Sequence, residues 1–90
     1  MTDLSRFLDD QQRITVWPSR LEAKKAVIQY IADKFEAGRM YSEKEVNAII
    51  DCWHTFNDYF LIRRSLIDYR YMSRTKNGSC YWKEEQDREN

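Results

Sequence analysis

The chain has 90 residues, with 15 Lys and Arg against 15 Asp and Glu, so its formal net charge is zero. A chain of this length is expected to form one domain, and it lacks the strong basic excess of many dedicated DNA-binding domains. The longest apolar run is far below the roughly 18 residues of a membrane span, and two cysteines without an export signal predict a reduced, cytoplasmic protein.

Residues 1–18 are predicted to form an N-terminal extension that packs on the domain. Three apolar positions have helical spacing for about one and a half turns, a polar turn follows at 9–12, and a short β-like run comes next. Trp17 should be extended because it precedes a proline, and its bulk predicts a core plug rather than a ligand contact. The apolar positions are Leu4, Phe7 and Leu8 in the helix and Ile14, Val16 and Trp17 in the run.

The first helix is predicted to begin after Ser19, because Ser19 and Glu22 have the spacing of a capping box. Such a cap stabilises a helix by about 1 kcal/mol. Gly38 is predicted to end this helix as a left-handed cap. A core-facing stripe is formed by Leu21, Ile28, Ile31, Ala32 and Phe35.

A second helix is predicted to follow a short strand. Met40 and Tyr41 are too few for an independent strand and should pair at the edge of a small sheet. Ser42 and Glu45 then form a second capping box. Apolar residues recur at helical spacing and form the predicted buried face of this helix, which consists of Val46, Ile49, Ile50 and Trp53.

The third helix is predicted over 57–69, after a turn that begins at His54. Thr55 or Asn57 can cap it, and Asp58 in its first turn complements the helix dipole. Its buried stripe is Tyr59, Ile62, Leu66 and Tyr69. Arg63 lies at the edge of this stripe, and the opposite side carries Leu61, Arg64, Ser65 and Asp68.

From Tyr71 the period changes to two, which predicts a β-hairpin with strands at 71–75 and 79–83. Asn77-Gly78 is the expected two-residue turn, with positive φ at both residues, so that Arg74 pairs with Tyr81. The face predicted to meet the core carries Tyr71, Ser73, Thr75, Cys80 and Trp82, and the other carries Met72, Arg74, Lys76, Tyr81 and Lys83. The polar tail at 84–90 is expected to be disordered.

This order of elements predicts an α+β fold, a winged helix-turn-helix over 19–83 with three main helices and an antiparallel hairpin wing. The sequence also resembles a bacterial family catalogued as domain of unknown function 2087, over about residues 7 to 83. The resemblance rests on F-L-D at 7–9, R-I-T-V-W-P-S at 13–19, Y-S-E-K-E-V-N at 41–47, L-I-R-R-S-L-I-D-Y at 61–69 and N-G-S-C-Y-W-K at 77–83.

The resemblance implies a winged-helix shape and a role in transcription, because members of that family are often described as regulators and fused to helix-turn-helix domains. It brings no catalytic residues. This chain departs from the pattern at two loops. Arg70 stands where the third helix meets the wing and a Gly is usual, and the turn at 9–12 lacks the Gly commonly found before the Arg.

Cationic residues concentrate at the predicted wing, where residues 70–83 carry four cations and no acid. Phosphate binding is mainly electrostatic, so this segment predicts double-stranded DNA as a partner, with the third helix in the major groove. The residues expected at the DNA are Asn57, Arg63 and Arg64 on or beside that helix, and Arg74 and Lys76 at wing phosphates. Arg64 has the fork geometry that reads guanine.

Acidic residues oppose this interpretation at one place. Helix N-termini commonly hold phosphates, but Glu43 and Glu45 stand at the start of the second helix and would repel them. Non-specific affinity for DNA is therefore expected to be weak.

The alternative is a protein-interaction or homodimerisation module that uses the same third helix and wing without DNA. Tyr, Trp and Arg are enriched at binding hot spots, so exposure of Tyr59, Phe60, Tyr71 or Tyr81 would favour it. An enzyme is not expected, because His54 is the one histidine and lies in a turn without a positioned partner. No metal site is expected, because the spacing of the cysteines does not fit one. No cofactor is expected either.

Overall fold

The computed structural model describes residues 4–84 and consists of three α-helices and a small three-stranded antiparallel sheet, which confirms the predicted α+β class. The elements in chain order are a 3₁₀ turn (Ser5–Phe7), α1 (Leu21–Ala32), β1 (Met40–Tyr41), α2 (Glu43–Cys52), α3 (Tyr59–Asp68), β2 (Ser73–Arg74) and β3 (Tyr81–Trp82). Of the tail at 84–90, for which disorder was predicted, only Glu84 falls within the described residues.

The core is formed where the three helices meet. Their inward faces are fully buried, and each buried aliphatic side chain stabilises the fold by about 1.5–3 kcal/mol. The side chains that fill this space are Val27, Ile28 and Ile31 of α1, Val46 and Ile50 of α2, and Ile62 and Leu66 of α3. The periodicity of α2 and α3 therefore predicted their buried faces correctly at these positions.

The start of α1 was predicted wrongly. Arg20, not Ser19, occupies the N-cap position, and no side chain caps the first turn. Ser19 therefore stands one residue too early for its hydroxyl to reach the free N–H groups of the helix. Leu21 was assigned to the core stripe, but 54% of its surface is exposed because the first turn extends past the core.

The end of α1 also differs from the prediction, since the helix stops at Ala32 rather than near Gly38. The main chain tightens after Ala32, and Phe35 turns into the core edge-on to Tyr41, with 5.1 Å between the ring centroids. The Tyr41 hydroxyl accepts a hydrogen bond from the Glu36 N–H at 2.8 Å. Gly38 does have a left-handed φ of 79°, but its N–H donates to the carbonyl of Lys83, directly after β3, rather than closing the helix.

The capping box of α2 is confirmed in both directions. The Ser42 hydroxyl accepts from the Glu45 N–H at 3.1 Å, and the Glu45 carboxylate accepts from the Ser42 N–H at 2.8 Å. These two bonds satisfy main-chain donors that have no partner inside the helix. They fix where α2 begins, directly after the edge strand.

The start of α3 was predicted two residues too early. Asp58 is the N-cap, and its carboxylate accepts from the Leu61 N–H at 3.2 Å. Asn57 stands before it with a left-handed φ of 55°, so neither Asn57 nor Thr55 caps the helix. Ser65 was placed on the outer side but is buried, whereas Tyr59 was placed in the core stripe but is exposed in the first turn.

The sheet has the order β1-β3-β2, which confirms Met40–Tyr41 as an edge strand. Tyr81 lies opposite both Tyr41 and Arg74, so the predicted pairing of Arg74 with Tyr81 is also confirmed. The two hairpin strands, β2 and β3, are each only two residues long, much shorter than the predicted five.

The hairpin turn and its buried face differ from the prediction. The Gly78 N–H donates to the Thr75 carbonyl, so Lys76 and Asn77 are the central residues, and only Gly78, at 74°, has a positive φ. The face that meets the core carries Met72 and Tyr81, both buried, and not the face of Trp82. Tyr81 faces inward because its partner across the ladder, Tyr41, is itself a core residue.

The described part of the N-terminal extension, residues 4–18, packs on the helices. The Asp9 carboxylate organises the polar turn, and the main-chain N–H of Arg13 lowers the pKa of that carboxyl below its usual value. Gln12 in this turn has a φ of 66°. The Tyr30 hydroxyl of α1 donates to the Gln12 carbonyl at 2.8 Å, which ties the turn to α1. Trp17 is half-buried against the core, as its interpretation as a plug requires.

Candidate nucleic-acid interface

A groove of ≈ 470 Å³ lies between α3 and the hairpin and is called here the α3–hairpin groove. Its charged lining consists of Arg63, Arg64, Arg74, Glu43 and Asp68. Three cations against two acids give the charged lining a balance of +1. The structure therefore brings three of the five predicted DNA-contacting residues to one place, with their charge largely compensated.

Arg63 is the most enclosed of the three arginines, with 13% of its side chain exposed. Its guanidinium donates to the Asn47 side-chain oxygen at 2.6 Å and lies 3.2 Å from the Glu43 carboxylate, both on α2. The same guanidinium lies over the rings of Phe60 and Tyr59, at 5.4 and 5.8 Å from their centroids. Arg63 thus cross-links α3 to α2, and its hydrogen bonds are directed inside the domain.

Arg64 is the accessible cation of α3, with 66% of its side chain exposed. Its Nε lies 3.5 Å from the Asp68 carboxylate one helical turn later. Exposed pairs at this spacing are worth only about 0.3–0.5 kcal/mol, so a phosphate or a base can replace the acid at little cost. Arg64 is therefore the residue of α3 best placed to contact a ligand in the groove.

The wing cations occupy the tip of the hairpin. One nitrogen of Arg74 donates to the carbonyls of Thr75 and Lys76, each at 3.1 Å, which folds the guanidinium over the turn. Lys76 is exposed at the centre of that turn, and its ammonium has no ion-pair partner among residues 4–84. Lys76 does not line the groove but lies directly beyond it.

Asn57 is the predicted residue that the structure separates from the others. It lies in the turn between α2 and α3, exposed and with a left-handed φ, and it does not line the α3–hairpin groove. Asn57 precedes the first turn of α3, whereas Arg63 and Arg64 lie within the helix.

The sequence predicted the position of Glu43 at the start of α2 but not its contacts. It was expected to repel phosphates from the start of α2, and its pairing with Arg63 was not predicted. Its carboxylate also approaches the wing, since a Cβ added to Gly78 would lie 3.7 Å from the Glu43 oxygen and 3.8 Å from an Arg74 nitrogen. Glu43 therefore stands between the two cationic elements, and 46% of its side chain is exposed.

The corner between α2 and α3 is built around His54, whose burial the sequence did not predict. Its Nδ1 lies 2.8 Å from the Ile50 carbonyl at the end of α2, and its Nε2 accepts from the Asp58 N–H at 2.9 Å. An Nε2 acceptor requires the neutral ring with its proton on Nδ1, which donates to Ile50. The ring packs edge-on to Phe56, whose other neighbour is Trp17.

The aromatic surface expected for a protein partner is only partly present. Phe60 is 55% exposed beside the groove, and Tyr59 is exposed next to it. Tyr81 is buried and Tyr71 half-buried, so neither is free to anchor a partner. Within residues 4–84, no group of three or more His, Cys, Asp or Glu could hold a metal ion, and no helix is long and apolar enough to cross a membrane.

The fold and groove together define the class of protein: a small α+β domain in which two capped helices and a hairpin border a mixed-charge groove. The chain belongs to the family described as "uncharacterized protein conserved in bacteria" (DUF2087), which matches residues 13–83 and confirms the resemblance. The search of curated proteins and the search of solved structures found no significant match to the chain.

Proposed function

We propose that the domain is a winged helix-turn-helix that binds double-stranded DNA in a cytoplasmic, transcription-regulator-like protein. The observation that carries this proposal is the gathering of Arg63, Arg64 and Arg74 around one groove between α3 and the hairpin. The element order, with α2, a short turn, α3 and then a hairpin, is the order that such a domain requires.

The residues divide into different roles in this proposal. Arg64 is exposed on α3 and supplies the fork that can bind guanine in the major groove. Arg74 and Lys76 hold the backbone, because both are exposed at the wing. Asn57 approaches the backbone at the start of α3. Arg63 approaches the backbone beside Arg64, and its bond to Asn47 of α2 fixes the angle at which α3 is presented.

The proposal is tested by fluorescence anisotropy on mixed-sequence duplex DNA over a series of salt concentrations. Each phosphate contact contributes about 0.9 to the slope of log affinity against log salt, so Arg74→Ala with Lys76→Ala should flatten the slope by nearly two units. Affinity should fall alike for every sequence, because these contacts reach only the backbone.

Arg20→Ala with Lys25→Ala is the matched control, because it removes two exposed cations from α1 and its approach, away from the groove. This pair should leave the slope unchanged. Absence of wild-type binding at ~10⁻⁴ M, the weak end of non-specific affinity, would contradict DNA binding. Equal slopes for the two double variants would contradict the role of the wing.

A second candidate function is self-association or binding of another protein through α3, and the exposure of Phe60 and Tyr59 favours it. Exposed aromatic residues are the usual anchors of such contacts. Sedimentation of the wild type and of Phe60→Ala distinguishes the two. A dimer that Phe60→Ala dissociates, together with no response to DNA, would replace the first proposal with the second.

A further inference from the structure

The α3–hairpin groove contains an anion of its own. The Glu43 carboxylate lies 3.2 Å from Arg63 and beside the hairpin turn that Arg74 covers. A carboxylate and a phosphate present similar paired oxygens to a guanidinium, so both fit the same kind of position. They cannot occupy it together, because two like charges at that distance repel.

We infer that Glu43 is an internal counter-ion that occupies the place of a DNA backbone phosphate between α3 and the wing. This inference rests on the proposed function and deepens it, because it names the residue that sets the affinity. On binding, a phosphodiester replaces the carboxylate beside Arg63, and the Glu43 side chain moves towards solvent, to which it is already open.

The exchange explains how a domain with three arginines at one groove can bind weakly. The phosphate gains a contact with Arg63, but the domain loses the contact between Glu43 and Arg63 in return. The Asn47 bond to the guanidinium remains, so Arg63 keeps its orientation while its counter-ion changes. Arg64 and Asp68 differ, because their ion pair is exposed. A phosphate can therefore replace Asp68 beside Arg64 at little cost in free energy.

The test compares Glu43→Gln with the wild-type chain by anisotropy on mixed-sequence duplex DNA. Glutamine keeps the size and one acceptor oxygen but removes the charge. The slope of log affinity against log salt should steepen by about 0.9. Over one decade of salt concentration, this corresponds to about eightfold tighter binding at the lower end, about 0.1 M. The gain should be the same for all sequences, because the phosphate carries no sequence information.

Glu36→Gln is the matched control. It removes the same charge from an exposed carboxylate that also pairs with an arginine, at 3.8 Å, but it does not line this groove. Glu36→Gln should change neither the affinity nor the slope. A gain shared by both variants would overturn the inference, because it would reflect net charge rather than position.

A further readout separates the charge effect from any change of fold. Circular dichroism of each variant checks the helices, and Arg63→Gln is combined with Glu43→Gln in a double-mutant cycle. Arg63→Gln should cost several-fold more affinity in the Glu43→Gln background than in the wild type, because only in that background does Arg63 bind phosphate without first losing its contact with Glu43. Equal costs overturn the inference.

The outcomes distinguish the role inferred for Glu43 from the proposed DNA binding on which it rests. Wild-type binding that Glu43→Gln leaves unchanged or weakens overturns the role of Glu43 and leaves DNA binding standing. Binding by Glu43→Gln where the wild type shows none overturns the exchange, because no phosphate would then replace Glu43 in the wild-type groove. Absence of binding in both overturns the inference together with the proposed function.

Discussion

Arg70 adopts a backbone conformation that glycine adopts at far lower cost. Its φ is 66°, and it stands directly after the C-cap of α3. The Arg70 N–H donates to Ile67 and the Tyr71 N–H to Leu66, which are the two bonds of a Schellman motif. Gln12, also at 66°, occupies the other loop where glycine was expected from the family pattern. Both departures from that pattern therefore fall on left-handed residues.

Replacing Arg70 by glycine should stabilise the domain. The Cβ of a left-handed residue costs about 1–2 kcal/mol, and the greater freedom of glycine in the unfolded chain offsets part of the gain. Arg70→Gly should therefore raise the free energy of unfolding by about 0.5–1 kcal/mol, measured by urea denaturation. Arg70→Ala keeps the strain and should give no such gain. Equal effects of the two substitutions would show that the charge, not the backbone, is responsible.

The corner between α2 and α3 depends on one buried side chain, since His54 joins the last turn of α2 to the N-cap of α3. His54→Ala should lower the free energy of unfolding by about 2–4 kcal/mol, because it removes two hydrogen bonds and leaves a cavity beside Phe56. Thr55→Ala is the control and should stay within about 0.5 kcal/mol, because Thr55 is exposed and does not cap α3. Thermal unfolding followed by circular dichroism measures both, and a large loss for Thr55→Ala would restore it as a cap.

Local spacing predicted some elements, but not all: Ser19 and Glu22 have the spacing of a capping box and form no cap. The α2 capping box was predicted because Ser42 and Glu45 are three residues apart. The buried face of the hairpin was not, because alternation defines two faces without saying which one meets the helices. The same limit applies to the groove. Its cations were predicted, but Arg63 and Asn47 are sixteen positions apart and no local pattern pairs them.

The N-terminal extension is expected to unfold together with the helices. Ile14 is fully buried and bridges the helix corner, since its N–H donates to Trp53 and its carbonyl accepts from Thr55. The extension thus supports the turn that positions α3. A loss of its packing should therefore lower the free energy of unfolding of the whole domain.

Ile14→Ala should cost about 2–5 kcal/mol, a large part of the 5–15 kcal/mol that small domains possess. Val16→Ala, two residues on and half-exposed, should cost well under half as much. Tryptophan fluorescence and circular dichroism should report a single transition in each variant. Similar small losses for both variants would mean that the extension unfolds separately from the helices.

The strand order has a consequence for how the protein is made. β3 lies in the middle of the sheet, yet it is the last strand within residues 4–84, and it joins β1, forty residues earlier, to β2. Lys83 beside it accepts the Gly38 N–H and donates its ammonium to Ala32 at the end of α1. During synthesis the two outer strands have no partner in the sheet until Tyr81 and Trp82 have been added. A nascent chain halted before that point should therefore have unpaired edges on both outer strands.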